Sequence, residues 1–330
     1  MKQARLSLCY YPTTTLFIDD NRDFLDILQI GLTPYLHGQY LDNPSQVLQY
    51  LNNEYDLQPF TQFCLQNNSE EPVDHFTLNL NIRNIHQTLY HAKRFAEIAV
   101  IVVDYAMPDM DGLKLCQKIT NPYLKKIMLT GEADLALAIK AFNEGDIHKF
   151  IVKNSQDLTE TLLEAIQDLQ KQYFIELTDS IFNRNLKNSQ RPLACLNDPT
   201  FVQFFEALCQ VNAICEYYVM DNQGSFLLLD SRGRASWLAV KTVSDMENYF
   251  AYAEQEQAPD SVITALKNKT GIVYFHTDHD LNATPDTWEN FLYPAQPLQG
   301  EQLYYYAYID DTSAYDISAN KIVSYEQYLD

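Results

Sequence analysis

Residues 98–105 read IAVIVVDY, an unbroken apolar run that closes on Asp104. Runs of this kind suit a central parallel strand, buried on both faces by flanking helices. The segments downstream keep the same rhythm. GLKLCQKI (112–119) has helical spacing and KKIMLTG (125–131) reads as a strand. DLALAIKAFNEG (134–145) reads as a helix stopped by Gly145, KFIVK (149–153) as a strand and DLTETLLEAIQDLQKQYF (157–174) as a helix. Upstream, TTLFIDD (14–20) is a β-rich run, followed by Phe24, Leu25, Leu28 and Leu32 at helical spacing. YLHGQYL (35–41) and SQVLQYLNN (45–53) supply one more strand and helix. Strands alternating with helices at these lengths predict a doubly wound α/β sheet.

Four of these strands end on chemistry. Asp19 and Asp20 follow LFI, Asp104 follows IVV, Thr130 follows IML and Lys153 follows FIV. The carboxyl ends of the strands in a parallel α/β sheet line one crevice, where sites form. The pattern therefore gathers three carboxylates, a hydroxyl and an ammonium. Clustered carboxylates repel, and a hard divalent cation such as Mg²⁺ relieves that repulsion. An Asp beside Mg²⁺ and Lys is equipped to attack a phosphoryl group, with the hydroxyl and ammonium stabilising its oxygens. Any one strand-end Asp can be only a helix cap; the ordered set of four strand ends points to a site.

Composition narrows the function. The chain has 330 residues, enough for two domains, and a net charge of −21. Nucleic-acid binding and anionic membrane surfaces both call for Lys and Arg, which are outnumbered. Neither G-x-x-x-x-G-K-[ST] nor G-x-G-x-x-G occurs, so no nucleotide-binding loop of those kinds is expected. The cysteines at 9, 64, 116, 195, 209 and 215 show no CxxC spacing and read as free thiols of a reducing cytosol. No apolar run is long enough for a membrane span and the N-terminus lacks a signal peptide, so a cytoplasmic protein is expected.

Residues 14–175 resemble a response-regulator receiver domain of the CheY-like superfamily. FIDDN (17–21), VVDYAMPDMDG (102–112), LTG (129–131) and KFIVK (149–153) carry the resemblance. It implies a flavodoxin-like, five-stranded parallel sheet. It further implies that Asp104 accepts a phosphoryl group from a sensor histidine kinase or phosphotransfer protein. Asp19, Asp20, Asp104 and the backbone carbonyl of Ala106 would hold Mg²⁺. Thr130 and Phe150 would form the switch, Lys153 would pair with the phosphate, and Ala106 and Glu132 would tune its lifetime. Pro108, Asp111 and Gly112 match the turn after the phosphorylated strand. Two departures stand out. Asn154 replaces the family's proline, whose cis bond aims the lysine, so Lys153 is open to a different placement. The 54–97 stretch is also longer than one β–α unit needs. IRNIHQTLYHAKRFAEI (82–98) gives it helical periodicity, and it reads as an insertion with its own helices.

The expected domains are a receiver at 1–182, with the insertion at 54–97 and an extended last helix at 157–182, a linker at 183–192 and an α+β output domain at 193–330. Leu158, Leu162, Ile166, Leu169, Tyr173 and Leu177 recur at helical steps, and the second half of that stripe is expected to act as a coiled-coil connector or homodimer seam. Beyond it, DPTFVQFFEALCQV (198–211) reads as a helix capped by Asp198. CEYYVM, SFLLLD and ASWLAVK, split by turns, read as an antiparallel meander. The DNQG turn (221–224) resembles the hairpin opening of PAS-type sensor domains, giving a PAS-like reading. HTDHD (276–280) is read as a solvated loop rather than a metal site, since its histidines share no strand face. The output is expected to engage a downstream protein partner; the alternative is a receiver-regulated enzyme with catalysis in the C-terminal domain.

Overall fold

The computed structural model describes residues 5–55, 65–66, 79–80, 88–108, 110–131, 135–185, 193–221, 223–275, 284–310 and 319–329. The chain divides into two compact units that are interleaved in sequence. The first comprises Tyr11–Phe63, Ala92–Ile181 and Tyr325–Asp330, the second Met1–Tyr10, Cys64–His91 and Phe182–Ser324. In chain order the elements begin with β1 (Cys9–Tyr10), β2 (Thr14–Ile18), α1 (Arg22–Leu32), β3 (Gly38–Leu41), α2 (Pro44–Gln49), β4 (Leu65–Gln66) and β5 (Asn79–Leu80). Next come β6 (Ile98–Asp104), α3 (Gly112–Lys118), β7 (Lys125–Thr130), α4 (Leu135–Glu144), β8 (Lys149–Val152) and α5 (Leu158–Asn185). The remainder is α6 (Pro199–Val211), β9 (Ile214–Val219), β10 (Phe226–Asp230), β11 (Ala235–Thr242), α7 (Val243–Gln255), α8 (Asp260–Lys267), β12 (Gly271–Val273), β13 (Leu292–Pro294), β14 (Gln296–Gln299), β15 (Leu303–Ile309) and α9 (Tyr325–Leu329).

The first unit holds the expected parallel sheet, in the order β3-β2-β6-β7-β8. Strand β6 is buried at every residue, as a central strand requires. Leu16, Ile18, Val103, Leu115, Cys116 and Met128 are part of one core cluster. Helix α1 starts where Asn21 accepts a hydrogen bond from the Phe24 N–H, and it buries Leu25, Leu28 and Leu32 against the sheet. Gly145 ends α4 with φ +82°, a left-handed conformation that glycine adopts without steric cost. The register pairs Ile18 with Val103, Asp104 with Leu129 and Thr130 with Val152, so the four chemical strand ends emerge along one rim.

The second unit is built on an antiparallel sheet ordered β1-β9-β10-β11-β15-β14. The expected meander forms its middle, β9 to β11. Side chains alternate across it. Phe226 and Tyr217 meet Phe205 of α6 on one face, while Lys241 and Trp237 meet the rings of Tyr249 and Tyr274 on the other. Buried Asp198 caps α6, accepting from the Thr200 and Phe201 N–H groups, and its second oxygen accepts from the Glu301 N–H at 2.6 Å. Asp221 accepts from the N–H groups of Gln223, Gly224 and Ser225, closing the turn between β9 and β10.

Several expectations differ from what is observed. The contact division does not follow the expected split at 182 and 193. Residues 1–10 join the second unit because β1 pairs with β9, and the chain end joins the first. Cys64–His91, within the expected insertion, also groups with the second unit. The described parts of the insertion include a short β4–β5 ladder, helical residues at Thr88 and Leu89, and a 3-10 turn at Ala92–Ala96 that buries Arg94 and Phe95 and leads directly into β6. Residues 81–87, where the helical periodicity began, lie outside the described residues, as do Glu132, most of the linker (186–192) and the HTDHD loop. The stripe expected to form a dimer seam is covered within the single chain: Leu162, Ile166, Leu169, Tyr173 and Leu177 are all buried. Among the described residues no helix is long and apolar enough to cross a membrane, and five cysteines are free.

Candidate functional site

The site forms at the carboxyl rim of β2, β6, β7 and β8. Asp19 follows β2 and is turned inward, almost fully buried, with one oxygen accepting from the Asn21 N–H at 2.9 Å. Asp20, next in the chain, faces solvent. Asp104 closes β6 and is also buried. One oxygen from each of the three carboxylates lies within 4.8 Å of the others.

Lys153, one residue past β8, reaches back over this cluster. Its Nζ lies 2.8 Å from Asp104 Oδ1 and 2.7 Å from Asp19 Oδ2, and 4.7 Å from the centre of the Phe24 ring. Among the described residues no peptide bond is cis, so the lysine reaches the carboxylates without the family's cis-proline step. Burial pulls its pKa down, but the hydrogen bonds to Asp104 and Asp19 outweigh that and hold the ammonium above the usual lysine range. Asp19 is shifted the other way from an ordinary ion-paired acid. Burial raises it more than Lys153 and the Asn21 N–H lower it. Three acids facing one ammonium leave a surplus of negative charge and several free oxygens, which suits a hard, oxygen-seeking divalent cation.

The neighbouring turns are fixed by close approach. The Tyr105 N–H donates to the Leu129 carbonyl, and the Gly112 N–H donates to the Tyr105 carbonyl at 3.0 Å. A Cβ on Gly112 would sit 2.1 Å from the Asp104 carbonyl oxygen, so only glycine fits. Asp111 caps α3 by accepting from the Lys114 N–H; burial pushes its carboxyl up, but the Lys114 ammonium and the backbone N–H groups outweigh that and hold it below the usual range. Ala106 lies exposed in this turn.

The rim thus brings together Asp19, Asp20, Asp104 and Lys153. Thr130 ends the adjacent strand but is fully buried and donates its hydroxyl proton to the Gly131 carbonyl, not to a carboxylate. Phe150 lies half-buried on β8, edge-on to Phe142 at 6.1 Å. Phe24, beneath the lysine, was read from the sequence only as a helix-face residue; its place three residues after the Asn21 cap was the available signal.

A description of the response regulator receiver domain matches residues 75–167. The Legionella pneumophila response regulator LqsR is similar over almost the whole length. It is 35% identical, the alignment covers 99% of this chain and 96% of that one, and the TM-score is 0.81. This chain belongs to the response regulators. Its first unit is the receiver of a two-component system, with the flavodoxin-like fold. Shorter matches include an adenylate cyclase structure from Rhodopirellula baltica (23% identical, 52% of this chain and 98% of that one, TM-score 0.37). Another is the receiver domain of an HD domain-containing protein from Pseudomonas fluorescens (24%, 49% and 98%, TM-score 0.33). No curated protein matches. The receiver match begins at residue 75 and so leaves out FIDDN, which the interrupting segment separates from the rest of the receiver.

Proposed function

We propose that this response regulator accepts a phosphoryl group on Asp104, in the cytoplasm, from a sensor histidine kinase or a phosphotransfer protein. The observation that carries the reading is the single ammonium of Lys153 bridging Asp104 and Asp19, with Asp20 in the same cluster. Asp104 presents a carboxylate oxygen to phosphorus. The new O–P bond forms as the bond to the donor's leaving group breaks, and the leaving group departs with that electron pair. Lys153 follows the incoming charge from the carboxylate to the phosphoryl oxygens. The Thr130 hydroxyl leaves the Gly131 carbonyl to donate to the same oxygens, and Phe150 moves with it as the switch. Asp19, Asp20, Asp104 and the Ala106 carbonyl are the residues that would hold Mg²⁺. When bound, that ion supplies positive charge against the phosphoryl oxygens.

The second unit is the output in this reading, addressed to a downstream protein rather than to nucleic acid. That unit too carries more acidic than basic residues, opposite in sign to a phosphate-binding surface. The PAS-like label rests on the Asp221–Gly224 turn and is retained as part of the proposal. The test is incubation with acetyl phosphate or phosphoramidate and Mg²⁺, read by intact mass. Wild type gains one phosphoryl mass, while Asp104→Asn and a chelator-treated sample gain none. No gain on wild type, or equal gain on the variant, overturns the assignment.

A further inference from the structure

Helix α9 has only five residues, too few to hold a helix in water unaided. Its tyrosines, three positions apart, lie on one face. Both are seated in the receiver unit at the amino-terminal edge of the sheet, at the opposite ends of the strands from the carboxylates. The Tyr325 hydroxyl oxygen accepts from the backbone N–H of His37 at 3.0 Å. The ring of Tyr328 lies 4.6 Å from that of His37 and 5.3 Å from that of Phe95, and the Tyr325 ring lies 5.2 Å from Phe95. Phe95 is fully buried.

Thr14 completes the arrangement. Its hydroxyl donates to the Phe95 carbonyl at 2.8 Å and lies 2.9 Å from His37 Nδ1 and 3.4 Å from the Tyr328 hydroxyl. A hydroxyl has one proton and two lone pairs. With the proton given to Phe95, the two remaining neighbours must both donate, which puts the proton of His37 on Nδ1 and makes Tyr328 a donor. The hydrogen bonding of this notch is therefore completed by α9.

We propose that α9 is a detachable ligand of the receiver unit. A notch formed by Thr14, His37 and Phe95 recognises a short helix bearing tyrosines at i and i+3, supplied in cis by the carboxy-terminal end of this chain. The helix folds as it docks. The seated rings and the hydrogen bonds that α9 makes, among them those of Tyr325 and Tyr328, act against the ordering of its residues. The notch therefore opens without global unfolding. Strands β2 and β6, which lead to Asp19 and Asp104, begin at this notch.

Native-state amide exchange on the full chain tests this without any variant. The His37 amide and the α9 amides exchange together, at least ~10-fold faster than the amides of β6. In the Tyr325→Ala/Tyr328→Ala chain the His37 amide speeds up by a further ~10-fold or more while β6 amides keep their rates. A chain ending at Ser324 regains His37 protection when a peptide of residues 319–330 is added, and a peptide of scrambled order has no effect. The proposal is overturned if His37 and α9 exchange only with global unfolding, or if the double variant leaves His37 protection unchanged. It is also overturned if the protection of His37 rises with protein concentration, since a second copy would then be the occupant. Should the shortened chain fail to fold, the exchange pattern of the unmodified chain decides alone.

Discussion

Glu97 and Asp104 stand at opposite ends of the same buried strand, and their surroundings make them different groups. Asp104 shares an ammonium with Asp19 and has a third carboxylate beside it at the rim. Glu97 is buried, with its oxygens accepting from the hydroxyls of Tyr11 and, at 2.5 Å, Tyr173. Burial raises its pKa more than the two tyrosines lower it. The upper end of β6 thus sets its carboxylate against an ammonium, and the lower end sets its carboxyl against two hydroxyls in a buried place that disfavours charge. Residue type and burial alone do not separate the two; the neighbours do, an ammonium at one end and two neutral hydroxyls at the other. The lower end also has a mechanical side. Tyr11 lies just after β1 and Tyr173 on α5, so one carboxylate fastens two distant stretches of chain to the start of the central strand.

The largest expected effect breaks the upper end alone. Lys153→Met removes the ammonium that, in the proposed reaction, follows the transferring charge, and the rate of phosphoryl incorporation should fall on the order of 100-fold or more. Glu97→Gln should leave that rate within a factor of a few. Equal losses in the two variants, read by time-resolved intact mass, would erase the functional distinction between the two ends. Gly112→Ala follows. Its new Cβ collides with the Asp104 backbone carbonyl, which cannot yield as a flexible side chain could, so a loss of about 3 kcal/mol is expected in urea unfolding.

Much of the upper end was legible in the sequence because local pattern and global fold agree there. An apolar run such as IAVIVVD can only be buried, and strand, cap and helix follow one another within a few residues. Once the strands are parallel, their carboxyl ends must share a rim, which brings Asp19, Asp20, Asp104 and Lys153 together. The lower end leaves no such trace. Glu97 meets partners 86 and 76 residues away in sequence, and no periodicity announces a hydrogen bond of that reach. The two-residue β1 and five-residue α9 are likewise too short to carry a pattern, so the interleaving of the two units could not be read. Phe24 was visible as a helix-face residue, but its position under the lysine depends on how α1 leaves the Asn21 cap.

A pH titration of stability sharpens the comparison at the lower end. Glu97 has a folded-state pKa above its unfolded value, so the folded protein keeps a proton that the unfolded chain releases first. The resulting stabilisation is full below the unfolded pKa and is lost as pH rises through the raised folded value. Wild-type melting temperature should therefore carry a falling component above the ordinary glutamate range. Glu97→Gln should remove that component and, at neutral pH, stabilise the protein by about 1 kcal/mol, since the amide still meets both hydroxyls without carrying charge. A variant with the same pH dependence as wild type, or a less stable variant at neutral pH, would mean that the carboxylate is comfortable where it is.

The smallest effect belongs to Phe24→Leu. The ring lies 4.7 Å from the Lys153 ammonium, which also has two carboxylates to hold it. Leucine keeps most of the apolar packing and loses the negative face of the ring, a contribution of about 0.5–1 kcal/mol at a partly exposed site. Melting temperature should drop by a few degrees at most, and phosphoryl incorporation should slow by less than ~10-fold, because the lysine retains its ionic partners. The falling pH component assigned to Glu97 should be unchanged, since no group at that end of the strand has been touched. A loss as large as that of Lys153→Met would instead make the ring, and not the two carboxylates, the main support of the ammonium.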